Sequence, residues 1–350
     1  MKKVLIATGG TGGHIFVGVA VASELKKYGI EAVFSTSGRS EDLGGLRYYP
    51  IHARGFLGKS VFKQFSYPFS FILSLTESFW MILKERPHAV LGTGSYASVA
   101  PAITARFLLI PLFITEIDSI PGMATRFLSH FAYRVYISFV EAARWLPKKK
   151  TRIMGCPVRR LRVLEDNAAK AELGLNPQIP LVFVFGGSGG AQKISELMTE
   201  LIPQIDGVQF LLSTGRRDYN EISEKLMGCE KVKIYPFISD MGLAYSASDL
   251  VVSRAGALTL AEIQRFKKPA ILIPYPYATL EHQARNAKVL ERMGCVRVIM
   301  EEELSSQRLK SEIENIIKSV HLREDMSRSF PDIVNGADRI ARDIAICLDT

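Results

Sequence analysis

One device occurs twice in this chain: a short run of apolar residues, a turn dense in glycine, then apolar residues at helical spacing. The first copy is KVLIATGGTGGH (Lys3 to His14) followed by a helical pattern over 15–28, and the second is LVFVFGGSGGA (Leu181 to Ala191). Apolar runs this short read as strands buried on both faces. A strand that feeds a helix through a tight turn opens a βαβ unit, so each copy predicts a doubly wound parallel sheet. Other short apolar runs fit the same alternation: 32–35, 89–92 and 112–115 in the first half, and 208–213, 231–235, 250–253 and 270–273 in the second. The expected fold is therefore α/β, with two Rossmann-like domains facing a deep cleft, ligands binding at the carboxyl edges of the sheets. The expected domains are 1–164 and 165–335, with the polar stretch Glu165 to Pro180 as the linker. The final helix, 336–350, is expected to pack back on the first domain.

Bulk properties narrow the function classes. A chain of 350 residues exceeds one ordinary core, and 47% hydrophobic with 23% charged residues excludes disorder. The formal charge of +9 calls for an anionic partner: nucleic acid, a membrane surface or a phosphorylated ligand. Cys156, Cys229, Cys295 and Cys347 form no CxxC pair, so neither a zinc site nor a disulfide framework is expected. The opening apolar run leads straight into the glycine turn, which reads as a core strand and not as an export signal. The stretch VFKQFSYPFSFILSLTESFWMIL (61–83) is interrupted by Lys63, Pro68 and Glu77, so it is not expected to span a membrane.

Four clusters carry candidate chemistry. In the first, Thr11, Gly12 and Gly13 open a helix whose unpaired N–H groups suit an anion or a polar sugar, although the dinucleotide pattern GxGxxG is not met. His14, at that helix start, is favoured in the neutral form a general base needs. In the second, GTGSYAS (92–98), Gly94, Ser95 and Tyr96 could line an acceptor site or form a plain strand-to-helix turn. In the third, Ser188, Gly189 and Gly190 offer a hydroxyl and bare N–H groups to a diphosphate, the alternative being a packing turn. In the fourth, SRAGALTLAEI (253–263) followed by YATLEHQARNA (277–287), Glu262 could accept both hydroxyls of a ribose. Gln283 and Asn286, three apart, share a helical face and could bind a sugar or simply be solvated.

In this order the clusters resemble glycosyltransferase family 28, the peripheral membrane enzymes that add N-acetylglucosamine to lipid I in bacterial peptidoglycan synthesis. The likeness runs through GGTGGH, GTGSYAS with Pro101, GCPVR (155–159), GGSGGA, RAGALTLAE, EHQARNA and NGADRIA. It implies a GT-B fold, a first domain for the lipid acceptor and a second for UDP-N-acetylglucosamine. Glu262 would hold the donor ribose, Ser188 and its neighbours the diphosphate, Gln283 the donor sugar, Arg159 also the donor, and His14 would be a base. The implied reaction is an inverting single displacement at the cytoplasmic face of the cell membrane. No DxD pair occurs, so no protein-held metal or other cofactor is expected; magnesium in solution can accompany the diphosphate.

Two departures from the family pattern stand out. Thr115, Glu116, Ile117 and Asp118 replace HEQN, and Gly189 replaces the glutamine of GGSQGA. Asp118 thereby becomes a second candidate base, or else a carboxylate beside the helix start near Pro121. Phe62, Phe65, Phe69, Phe79 and Trp80, with Lys148, Lys149 and Lys150, fit docking on an anionic bilayer, the alternative being a helix packed on the sheet. Nucleic acid is not an expected partner. A nicotinamide dehydrogenase is disfavoured because AVFSTSG (32–38) lacks an acidic residue closing the second strand. A nucleotide-sugar epimerase and a non-catalytic UDP-sugar binding subunit remain as alternatives.

Overall fold

The computed structural model describes residues 1–10, 12–38, 43, 45–53, 67–187, 191–278, 281–332 and 335–349. The chain divides into two units, Met1–Arg159 with Val334–Thr350, and Arg160–Ile333. The first division thus falls five residues ahead of the expected 164/165 boundary.

The first unit holds a seven-stranded parallel sheet in the order β3-β2-β1-β4-β5-β6-β7. Its strands are β1 (Lys3–Gly9), β2 (Glu31–Ser37), β3 (Tyr48–Pro50), β4 (Ala89–Gly92), β5 (Leu112–Glu116), β6 (Arg134–Ile137) and β7 (Thr151–Ile153). β1 lies inside the sheet, third in that order, and is covered on both faces. Val4 and Ile6 face one core with Leu25, Phe34 and Ile340, while Leu5 faces the other with Val33, Met81 and Val90. That two-sided burial is why the strand reads as an unbroken apolar run. The chain order reverses between β1 and β4, leaving a crevice beyond their carboxyl ends.

The second unit holds a six-stranded parallel sheet in the order β10-β9-β8-β11-β12-β13. These strands are β8 (Leu181–Phe185), β9 (Gln209–Ser213), β10 (Val232–Tyr235), β11 (Leu250–Ser253), β12 (Ala270–Leu272) and β13 (Val296–Val298). Here the order reverses between β8 and β11.

The stretch expected as a linker is instead partly helical. Asp166–Glu172 forms a helix in the second unit, with Ala169 buried. Its polarity is misleading because buried Lys170 is held by Asp249 at 2.8 Å and Asp166 at 3.2 Å, and Asp249 also accepts from the N–H of Leu181 at 2.8 Å. An ion pair here does the fastening that apolar residues usually do.

The last helix, Gly336–Asp349, packs on the first unit through Ala337, Ile340, Ala341 and Ile344. At its start a β-carbon on Gly336 would lie 2.2 Å from the carbonyl oxygen of Gly155, so the NGADRIA and GCPVR segments meet where only glycine fits. Further along, Asp343 accepts from the Arg134 guanidinium and, at 2.7 Å, from the Tyr136 hydroxyl. Burial, with the Asp343 charge beside it, holds the Tyr136 phenol above its ordinary range. Asp343→Ala leaves both donors without their acceptor and is expected to cost about 2 kcal/mol of stability. The check is a urea denaturation midpoint for each protein.

The helix Tyr67–Glu85 is turned against its composition. Ser70, Ser74 and Ser78 face inward, and the hydroxyls of Ser74 and Ser78 bond to carbonyls of their own helix, Phe71 at 2.9 Å and Ser74 at 2.6 Å. Outward stand Phe69, 75% exposed, and Trp80, 71% exposed, with Ile72 and Leu83; Phe79 is half-buried. The helix does pack on the sheet, through Met81 and Ile82, with small hydroxyl residues on the same buried face, and the aromatics Phe69 and Trp80 are left outside. Phe62 and Phe65 lie outside the described residues. Among the described residues no helix is long and apolar enough to cross a membrane.

Candidate functional site

In the first unit, three loops converge beyond the ends of β1, β4 and β5. The glycine turn after β1 leads into the helix Gly12–Leu25, with Gly12 and Gly13 in its first turn and half-buried His14 next. Thr11 lies outside the described residues. The Nδ1 of His14 sits 2.8 Å from the carbonyl oxygen of Thr93. A carbonyl only accepts, so this bond requires the proton on Nδ1 and leaves Nε2 as the basic nitrogen of the neutral ring.

Thr93 leads to Gly94, whose φ is +83° and whose added β-carbon would lie 3.1 Å from the carbonyl oxygen of Thr115 and 3.8 Å from a Glu116 carboxylate oxygen. Only glycine fits this turn. Ser95 points inward, its hydroxyl 3.4 Å from that of Ser98, while Tyr96 is partly exposed and its hydroxyl accepts from Ser37 Oγ at 3.5 Å. Of the three acceptor candidates, Gly94 and Ser95 therefore shape the turn and Tyr96 presents a side chain. Arg159 also belongs to this unit, its guanidinium 4.6 Å above the ring of Phe16, two residues beyond His14.

Glu116 is a participant that sequence reasoning passed over. It closes β5, fully buried, with Oε1 accepting from the N–H of Asp118 at 3.1 Å and Oε2 from that of Gly122 at 3.1 Å. It thereby holds the loop that carries Asp118. Burial, reinforced by the Asp118 carboxylate, raises its carboxyl from 4.5 to about 7. The available signal was its place: an acidic residue ending an apolar strand at the carboxyl edge. Because the folded carboxyl keeps its proton to about pH 7 while the unfolded one loses it near 4.5, stability falls as pH rises through that window, by about 3 kcal/mol. Glu116→Gln is expected to flatten this dependence, as read from urea midpoints taken on either side of the window.

In the second unit the corresponding loops follow β8, β11 and β12. Gly187, at φ +82°, starts the turn after β8, and the helix Gln192–Leu201 follows; Ser188, Gly189 and Gly190 lie outside the described residues. After β11, Gly256 caps the helix Ala257–Phe266, where Glu262 is buried and its Oε2 accepts from the Tyr245 hydroxyl at 3.1 Å. The carboxylate is thus oriented by the protein and is no solvated helix charge.

Gln283 joins two loops. Its Oε1 accepts from the N–H of Ala255 at 3.2 Å and that of Tyr275 at 2.9 Å, which ties the segment after β11 to the one after β12. Asn286, expected on the same face, is fully buried, so the two amides do not present themselves together. Arg254, which sequence reasoning left without a role, reinforces the same tie. Its guanidinium donates to the carbonyls of Ile273 at 3.3 Å and Pro274 at 3.2 Å and pairs with Glu301.

Both units match one known family. The family model described as the glycosyltransferase family 28 N-terminal domain matches residues 4–137, and that of the C-terminal domain matches 181–344. A relative from Thermodesulfovibrio yellowstonii, 36% identical, covers 93% of this chain and 92% of its own length. It is named UDP-N-acetylglucosamine–N-acetylmuramyl-(pentapeptide) pyrophosphoryl-undecaprenol N-acetylglucosamine transferase. Among solved structures, MurG of Acinetobacter baumannii superposes with a TM-score of 0.73 at 22% identity, over 100% of this chain and 99% of that one. A UDP-GlcNAc 2-epimerase of Neisseria meningitidis, solved with UDP-GlcNAc, gives 0.64 at 14% identity over 99% of each chain. At such identities the likeness is one of fold, and that fold is GT-B.

Proposed function

The chain belongs to glycosyltransferase family 28, and from that membership we propose that it moves N-acetylglucosamine from UDP-N-acetylglucosamine to the 4-hydroxyl of the muramyl sugar of lipid I, giving lipid II. The observation that carries this reading is the likeness to a transferase of that name across both units, at 36% identity. It also sets the epimerase alternative aside.

The first unit supplies the base. His14, its Nδ1 proton engaged by Thr93, takes the proton of the acceptor hydroxyl at Nε2. The freed oxygen attacks the anomeric carbon from the face opposite UDP. The electron pair of the breaking C–O bond passes to the diphosphate, and the configuration inverts. In the second unit Glu262 holds the ribose hydroxyls and the segment 188–190 holds the diphosphate at the start of the helix Gln192–Leu201. Gln283 keeps the loops around the donor sugar together and Arg159 adds a cation for the developing charge. No cofactor enters this scheme.

The protein works at the cytoplasmic face of the cell membrane, held there by its surface. Support comes from outward Phe69, Ile72 and Trp80, from exposed Arg144, Lys148 and Lys149 in the same unit, and from the net charge of +9. Phe69→Ser with Ile72→Ser is expected to weaken pelleting with phosphatidylglycerol vesicles about tenfold. Pelleting that ignores anionic lipid would remove the docking proposal. The function itself is tested by incubating the protein with radiolabelled UDP-N-acetylglucosamine and a lipid I analogue. Label must move into the lipid product; donor binding without transfer would return the chain to a binding subunit.

A further inference from the structure

The helix His282–Arg292 of the second unit has two faces with different work. Its inner face buries Asn286, Ala287 and Leu290, while Arg285, Lys288 and Arg292 run along a pocket of about 460 Å³. Pro274, Pro276, Ala284 and Met300 give that pocket apolar lining, and Glu301 and Glu302 border it as well. Some of these charges are already answered: Glu301 pairs with the Arg254 guanidinium, and Arg285 lies 3.9 Å from Glu281. Lys288 and Arg292 are exposed and have no ion pair among the described residues. Four residues apart on one helical face, they can take a single carboxylate between them. Glu302 adds a carboxylate able to accept from peptide N–H groups. The pocket adjoins the loops that Gln283 clasps. Tyr275 lines it, and the N–H of the same residue donates to Gln283 Oε1 at 2.9 Å.

We infer that this pocket takes the peptide of the acceptor, with Lys288 and Arg292 binding its terminal carboxylate. The inference rests on the proposed function, which makes the acceptor a muramyl pentapeptide. In such a sugar the peptide hangs from the lactyl group on O3, next to the 4-hydroxyl that attacks. That oxygen has to reach the anomeric carbon of the donor, so the peptide starts beside the loops that Gln283 ties together. From Gln283, Lys288 and Arg292 lie about 8 and 14 Å along the helix axis. Five extended residues span about 17 Å, enough to bring the last carboxylate to either cation. A lone phosphate would occupy a small part of 460 Å³ and none of the apolar lining, whereas a short peptide uses both. The second unit thereby reads the acceptor as well as the donor.

The test uses three lipid I analogues with the same short prenyl chain: one whose pentapeptide ends in a free carboxylate, one ending in a carboxamide, and one without peptide. Each is titrated calorimetrically into the full chain and offered as acceptor with radiolabelled UDP-N-acetylglucosamine. The carboxylate analogue is expected to bind about fivefold more tightly than the carboxamide, and the peptide-free one most weakly. The same fivefold ratio should appear in the acceptor KM, with kcat and the donor KM unchanged. Lys288→Gln with Arg292→Gln keeps good helix formers on an exposed face and should bring the ratio to one. Lys288→Arg with Arg292→Lys keeps both charges and should preserve it, which separates lost charge from a disturbed helix. Equal affinity for carboxylate and carboxamide in the native protein, or a preference that survives in the neutral variant, would overturn the inference, while label moving into the analogues would leave the transferase reading standing. Preference for the carboxylate in a protein that transfers label to none of the three would uphold the pocket and overturn the transferase reading.

Discussion

Glu262→Gln is expected to raise the KM for UDP-N-acetylglucosamine about a hundredfold while kcat stays within a few-fold of the native value. The carboxylate lies buried on the helix Ala257–Phe266, oriented by the Tyr245 hydroxyl at 3.1 Å. An ionised carboxylate can accept both ribose hydroxyls; the amide keeps the volume and the bond to Tyr245 but offers one acceptor oxygen and no charge. Losing one charge-assisted hydrogen bond and weakening the other costs roughly 3 kcal/mol, a factor of about a hundred. The ribose is remote from the breaking bond, so the loss falls on ground state and transition state alike and appears in KM. Steady-state kinetics over a wide donor range would show it. An unchanged KM in a protein of native thermal midpoint removes the ribose from Glu262.

His14→Ala carries the second large effect, a fall in kcat of about a hundredfold to ten-thousandfold with little change in KM for either substrate. The carbonyl of Thr93 fixes the proton on Nδ1, so the native ring presents Nε2 as a base without needing to be retautomerised. Asp118→Asn is expected to alter kcat only a few-fold, because the Asp118 loop is secured by its backbone N–H to Glu116, a bond the asparagine keeps. The decisive readout is the pH profile: the ascending limb of kcat should vanish in the alanine variant and persist in the asparagine one. The opposite pattern would transfer the role of base to Asp118. Partial recovery of His14→Ala by added imidazole would separate lost chemistry from a disturbed loop.

Much of this architecture was legible because both sheets bury their central strands on two faces. Ala89–Gly92, Leu181–Phe185 and Leu250–Ser253 read directly from their apolar runs and have the same bounds in the structure. Arg134–Ile137, an interior strand of four residues that opens on a charged one, escaped notice, as did Tyr48–Pro50, Thr151–Ile153 and Val296–Val298, which are three residues long, at sheet edges, and partly exposed. Such strands are defined by a neighbour's hydrogen bonds and carry no pattern of their own. The helix Asp166–Glu172 was missed because an ion pair through Lys170 stands in for apolar burial. At the site, glycine turns and motif residues announced the loops but not their interior bonds. That Ser95 turns inward, that Gln283 clasps two loops, and that Glu116 braces Asp118 are tertiary facts with no local spacing to reveal them.

The helix Gly336–Asp349 completes a unit whose other parts lie before residue 160. During synthesis, residues 160–333 can emerge and close their own core while the earlier half still lacks Ala337, Ile340 and Ile344 against Val4 and Ile6, and Asp343 against Arg134. The order of manufacture and the order of completion are thus inverted: the part translated first must wait, with one of its two cores incomplete, until the helix Gly336–Asp349 has emerged from the ribosome.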